Sequence, residues 1–294
     1  MGRMVALLCS GLGSAADGAD PSAEAALVEP RLRNLHDIPS DLVPPVVTDE
    51  AAAAGRRVRV QLSEFAGTPL HHVLYLPINW RPDRSYPVIV EYPGNGGFEN
   101  KLGDRCSGRQ EDCRLGYGIS AGRDFIWVCP PFVDKASTTH SLRWWGDADA
   151  TTDYCRQCVR QTCADYGGDP DKVLLAGFSR GAIACNYIGL RNDDIAALWR
   201  GMIVHSHYDG VRQWGYPEDD RAAATRRLKR LGDRPQFISH EVSIDAVRDY
   251  LRDTTVDATF LPIPYPNHSD AWVLKDIPER TKLREWVAQA LSEN

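Results

Sequence analysis

A serine hydroxyl attacks a carbonyl carbon only when it is exposed, when a base stands within hydrogen-bond reach, and when an acceptor holds that base in one tautomer. The chain carries residues of all three kinds. Ser179 lies in Gly177-Phe178-Ser179-Arg180-Gly181, a G-x-S-x-G pentad, after the apolar run Val173-Leu174-Leu175-Ala176 and before the helix-compatible Ala182, Ile183, Cys185, Asn186 and Tyr187. Glycines on either side admit a sharp strand-to-helix turn; the serine points outward, facing the first N–H groups and positive dipole end of the helix. His268, in Tyr265-Pro266-Asn267-His268-Ser269-Asp270-Ala271-Trp272, follows the last strand-like segment and precedes the terminal helix, so it is the candidate base. The acid is expected between the two, in the loop after Pro235-Gln236-Phe237-Ile238-Ser239-His240. A carboxylate several residues past a strand end has the commoner reach, which favours Asp245 and leaves Glu241 as the alternative. Asp245 also reads as an ordinary first-turn helix carboxylate beside a Ser243 cap.

A tetrahedral oxyanion needs N–H donors. The turn Pro93-Gly94-Asn95-Gly96-Gly97, directly after the strand-like Tyr86-Pro87-Val88-Ile89-Val90-Glu91-Tyr92, exposes such groups near Asn95 and Gly96, and the N–H of Arg180 would complete the set. Trp144 and Trp145 either line a cleft or plug the core. His207, Tyr208, Asp209 and Trp272 are further candidates for substrate contact. A competing signal is His205-Ser206-His207-Tyr208-Asp209, an H-x-H-x-D pattern that resembles the metal loop of the metallo-β-lactamase fold, with Gly210 where that family has a further histidine.

The elements that would position these residues alternate. Residues 57–65 and 72–78 read as paired strands around Ala66-Gly67-Thr68-Pro69. Further strands are expected over 86–92, 125–129, 173–176, 201–205, 235–240 and 258–263, and helices over 148–166, 220–231, 244–251 and 278–291. The expected fold is α/β: a mostly parallel central sheet, helices on both faces and an antiparallel N-terminal edge.

The chain has 294 residues, 43% hydrophobic and 25% charged, with a formal charge of -6. A mildly acidic balance opposes a nucleic-acid partner, and the local cluster Arg226, Arg227, Lys229 and Arg230 reads as a solvated helix face. Residues 1–16 resemble a secretory signal peptide, which predicts export, and residues 17–55 read as an arm or linker before the domain at 56–294. No later run is long enough to span a membrane. Of the eight cysteines, Cys106 and Cys113 flank a polar loop that a disulfide could close, whereas Cys155, Cys158 and Cys163 share the apolar side of a helix.

The glycine-rich turn at 93–97, the elbow GFSRG and the late His268, in that order, resemble an α/β-hydrolase over residues 57–291. Within that superfamily the chain is most similar to secreted carbohydrate esterases of the feruloyl and acetylxylan type and to polyhydroxybutyrate depolymerase-like esterases. The resemblance implies a serine esterase acting on small-molecule or polysaccharide esters through Ser179, His268 and an acid, with no metal or organic cofactor. PGNGG stands where H-G or H-G-G-G is often found. The alternatives are a peptidase of the prolyl oligopeptidase type, a metal-dependent hydrolase using His205, His207 and Asp209, and a non-catalytic carbohydrate-binding protein on the same scaffold.

Overall fold

The computed structural model describes residues 32–292. The expected leader at 1–16 and the first part of the arm lie outside the described residues. Eleven strands run in chain order: β1 (Val47–Thr48), β2 (Arg57–Val60), β3 (His72–Tyr75), β4 (Tyr86–Tyr92), β5 (Phe98–Glu99), β6 (Arg105–Cys106), β7 (Ile126–Cys129), β8 (Gly168–Phe178), β9 (Gly201–His205), β10 (Gln236–Glu241) and β11 (Ala258–Ile263). The helices are α1 (Leu115–Ser120), α2 (Ala148–Tyr166), α3 (Arg180–Tyr187), α4 (Asp193–Ala196), α5 (Arg221–Leu228), α6 (Asp245–Leu251) and α7 (Pro278–Ser292).

Nine strands make one sheet in the order β1-β2-β3-β7-β4-β8-β9-β10-β11, and β5 and β6 form a separate hairpin. The run from β7 through β4, β8, β9 and β10 to β11 is parallel, while β3 is antiparallel to both β2 and β7. The antiparallel edge is therefore as expected, but β1, from the arm, adds a short parallel strand outside it.

Alternation along the central strands divides the core. Val88, Val90, Val173 and Leu175 face one layer with Tyr154, Cys155, Cys158 and Val159 of α2; Ile89, Leu174 and Ala176 face the other with Leu283, Trp286 and Val287 of α7. A parallel strand covered on both faces must be apolar throughout, which is why these runs show no polar alternation. Helix α2 starts where Asp147 accepts from the N–H groups of Asp149 and Ala150, and it stops at Gly167, whose φ of 76° closes the last turn. Cys155 and Cys158 are core residues, as their helical spacing predicts.

The cysteine loop is different from the expectation. Cys106 and Cys113 are both free thiols. Cys113 is buried with its Sγ directed at the Glu91 carbonyl, 3.8 Å away, and Cys106 lines the cavity described below. The basic cluster near 226–230 is also not simply a solvated face: Arg227 is buried and joins Asp209 and Asn186. Among the described residues no helix is long and apolar enough to cross a membrane.

Candidate active site

Strand β8 ends at Phe178, and the chain reverses at Ser179 with φ 54° and ψ -114° before entering α3. The turn requires both glycines. A Cβ at Gly177 would lie 2.1 Å from the Gly181 carbonyl oxygen, and one at Gly181 would lie 2.0 Å from that of Tyr92. Strained backbone of this kind persists only where its surroundings hold it, and here the Ser179 N–H is tied to the His205 carbonyl at 2.9 Å.

The structure brings Ser179 and His268 together. Ser179 Oγ lies 3.0 Å from His268 Nε2, and His268 Nδ1 lies 2.8 Å from Glu241 Oε1. Glu241 as a carboxylate only accepts, so Nδ1 carries the imidazole proton and Nε2 is left to accept from the serine. The ring is packed between Phe98, Phe178 and His207, at centroid distances of 4.8, 5.0 and 5.1 Å.

Glu241, not Asp245, is therefore the acid at the imidazole. It is the last residue of β10, and the chain turns immediately after it: Val242 has φ 61° and the Ser243 N–H returns to the Glu241 carbonyl at 2.6 Å. That tight turn leaves the Glu241 side chain at the strand end and sends Asp245 onward into α6. Asp245 is exposed, accepts from the Ser243 hydroxyl and pairs with Arg248, so it serves its own helix start.

Ser206, which sequence reasoning passed over, completes the group. Its Oγ donates to Glu241 Oε1 at 2.8 Å and lies 2.8 Å from His268 Nδ1. It follows β9 directly, is fully buried, and has φ 84°. Glu241 Oε2 has His240 Nδ1 at 3.2 Å but no well-aligned donor. Burial alone would raise the Glu241 carboxyl; the His268 hydrogen bond and the neighbouring His205 and His268 rings outweigh it and hold the group well below its ordinary value.

The expected oxyanion donors divide. Among the described residues no hydrogen bond takes up the N–H of Asn95 or of Arg180, whereas that of Gly96 donates to the Leu142 carbonyl at 2.8 Å. Gly96 is thus committed to the loop and Asn95 and Arg180 are the available pair. The Asn95 side chain accepts from the Trp144 N–H at 2.8 Å, which joins the glycine-rich turn to the wall opposite.

The Arg180 side chain does something the pentad does not announce. Its guanidinium is buried over the Phe132 ring at 4.0 Å and donates to the carbonyls of Gly108, Ser141 and Trp144. Burial pushes it down to about 9. It pins the two loops that frame the cavity, and Arg180→Met would leave three carbonyls without that donor. We expect this variant to lose about 3 kcal/mol of unfolding free energy in urea titrations, since each buried acceptor left unpaired costs about 1–3 kcal/mol.

A cavity of about 320 Å³ opens over Ser179, walled by Phe98, Cys106, Trp144, Ile183, His207 and Trp214. Burial, with the adjacent His268, lowers His207 to about 4, so this ring is neutral at pH 7. A neighbouring cavity of about 380 Å³ shares His207 and Trp214 and reaches Ser206 and Glu241.

Of the other expected contact residues, Trp144 and His207 line the first cavity and the rest do not. Trp145 is buried against Phe132, Tyr187 and Tyr216, making it a core plug. Tyr208 is buried and donates to Gln236. Asp209 pairs with Arg227 at 2.8 Å and accepts from Tyr216, and Trp272 is packed in the core against His205.

The metal reading of 205–209 is overturned by the same geometry. His205 is fully buried, with Nδ1 on Ser239 Oγ and Nε2 on the Ser269 carbonyl, while Asp209 is spent on Arg227. These side chains do not converge with His207. Elsewhere among the described residues, Glu91, Cys113 and Cys129 place donor atoms within 4.8 Å of one another. Glu91, however, already accepts from the N–H groups of Arg114, Leu115 and Gly116 and from Trp127 Nε1, which commits both oxygens to the start of α1.

No family model and no curated protein matches this sequence. Solved structures do match in shape. A thermostable esterase aligns with TM-score 0.49 and 14% identity over 79% of this chain and 62% of its own. A protein described as a dipeptidyl aminopeptidase IV from Bacteroides ovatus gives 0.50 and 16%, over 80% of this chain and 35% of its own. A fungal esterase from Rhizomucor miehei gives 0.50 and 14%, over 80% and 82%. This chain thus spans less than two thirds of the first two proteins. At these identities the likeness concerns architecture: the chain has the α/β-hydrolase fold.

Proposed function

We propose that this protein is a serine hydrolase of carboxylic esters, with Ser179 as nucleophile, His268 as base and Glu241 as the acid that orients it. The observation that carries the reading is the continuous contact from Ser179 Oγ to His268 Nε2 at 3.0 Å and from His268 Nδ1 to Glu241 at 2.8 Å, beside two unengaged N–H groups. His268 takes the serine proton as Oγ attacks the ester carbon, and the N–H groups of Asn95 and Arg180 receive the oxyanion. The imidazolium then gives its proton to the departing alcohol oxygen. Water, deprotonated by the same ring, attacks the acyl-enzyme and releases the acid with Ser179 restored.

The walls speak to the substrate. Trp144, Trp214, Phe98 and Ile183 present apolar surface, no carboxylate among the described residues lines this cavity, and His207 is neutral. This supports an uncharged acyl group, aromatic or aliphatic, such as carbohydrate-linked aryl or acetyl esters and polyesters carry. The neighbouring cavity offers room for a bulkier alcohol.

A fluorescent or biotinylated organophosphonate should label Ser179 once per chain, as read by mass spectrometry of the tryptic peptide, and short p-nitrophenyl esters should be turned over while dipeptidyl p-nitroanilides are not. An unlabelled Ser179, or esterase activity that survives full labelling, overturns the reading.

A further inference from the structure

The loop that carries His268 hangs between β11 and α7, and both imidazole nitrogens are engaged from the catalytic side. Its backbone is held from the opposite side by a residue outside the triad. Asp104, in the turn of the β5–β6 hairpin, has a fully buried side chain. Its Oδ2 accepts from the main-chain N–H of His268 at 2.9 Å and from Asn100 Nδ2 at 2.8 Å. Its Oδ1 accepts from Asn267 Nδ2 at 2.9 Å and lies 2.9 Å from His36 Nε2.

The N-terminal segment closes the same knot. Asn267 Oδ1 accepts from the Leu35 N–H at 2.7 Å, and Asn267 Nδ2 also donates to Asn34 Oδ1 at 3.0 Å. Leu35 anchors this segment in the core, at 1% exposure. The hairpin that carries Asp104 also presents the Phe98 ring to His268. Segments far apart in sequence thus converge on the two residues Asn267 and His268.

We infer that Asp104, together with residues 34–36, is a positioning device for the catalytic histidine, so that the N-terminal segment, which the sequence reads as a linker, completes the active site from behind. The inference rests on the proposed serine mechanism. None of Asp104, His36, Asn34 and Asn267 borders the cavity over Ser179. Replacing one of them therefore removes no atom of the substrate walls, and its effect reaches the site through the placement of the imidazole, where a misplacement near 1 Å costs about a hundredfold in rate.

His36 gives the cleanest test, because its side chain is 45% exposed and its removal opens no core. His36→Ala should lower kcat for a p-nitrophenyl ester about three- to tenfold with KM within about twofold, and Asp104→Asn about ten- to a hundredfold. Phosphonylation of Ser179 should slow in proportion. His36→Gln, whose amide can still donate to Asp104, should recover most of the rate. Wild-type kcat in His36→Ala, a change confined to KM, or a His36→Gln no better than His36→Ala would each overturn the inference. If Asp104→Asn does not fold, the two His36 variants decide alone. Loss of the serine mechanism itself would show separately, as wild-type protein that resists phosphonylation.

Discussion

Ser179→Ala should abolish ester turnover, lowering kcat by about 10⁶-fold, while the protein stays folded. The size follows from what is removed. Among the described residues Ser179 carries the one hydroxyl that lines this cavity and faces His268 Nε2, so no other side chain is placed to form the acyl-enzyme. What remains is water attack assisted by the oxyanion donors and binding alone. The fold should tolerate the change, because the turn is held by Gly177, Gly181 and the Ser179 main chain, all of which alanine preserves. Loss of one hydrogen bond to His268 should cost about 1 kcal/mol in urea titrations. A variant that retains more than about a thousandth of wild-type kcat would show that the reaction does not pass through this serine.

Glu241→Gln should lower kcat by about 10⁴-fold, whereas Asp245→Asn should leave kcat/KM within about twofold. A glutamine presents an amide that can donate to Nδ1, which favours the tautomer with the proton on Nε2, where it blocks acceptance from Ser179. It also withdraws the negative charge that stabilises the imidazolium. Asp245, exposed and paired with Arg248, has no such role to lose. The two substitutions are four residues apart, so the contrast between them isolates the acid.

The same variant carries a pH signature. The folded Glu241 carboxyl lies below its ordinary 4.5, so its contribution to stability is fully present above about pH 4.5 and fades as pH falls toward the folded value. The difference in unfolding free energy between wild type and Glu241→Gln should therefore be constant near neutrality and narrow in acid. A difference that widens as pH falls would mean that the carboxylate is not stabilised by its partners.

How much of this could be read beforehand depended on how local the cause was. The elbow was legible because its requirements, two glycines, an apolar strand and a helix, all fall within sixteen residues. His268 was legible from chain order. The sequence favours Asp245 over Glu241 because carboxylates several residues beyond a strand have the commoner reach, and nothing in a β-branched Val242 announces a left-handed backbone that ends the strand so abruptly. Asp209 reads as a cleft residue by type and place, but the buried Arg227, eighteen residues on, takes its carboxylate, whereas Tyr208 lines only the neighbouring cavity. Trp145 and Trp144 are neighbours with opposite fates, a distinction set by which ring meets Tyr187. The N-terminal segment has no periodicity, and its value lies in hydrogen bonds to partners such as Asn267, 232 residues away for Leu35, that no local pattern encodes.

Three adjacent strands end alike. Ser179, Ser206 and Val242 each follow a strand directly, and each has a positive φ, at 54°, 84° and 61°. Selection for heat resistance would press on this rim first, since glycine relaxes such backbone at no steric cost. At 242, where the side chain is exposed and borders the neighbouring cavity and not the one over Ser179, relaxation and attack by the serine need not conflict. At 179 and 206 they oppose each other, because the hydroxyl that makes the position useful is lost with the strain, so a thermally hardened descendant of this protein would be expected to keep both serines and change elsewhere.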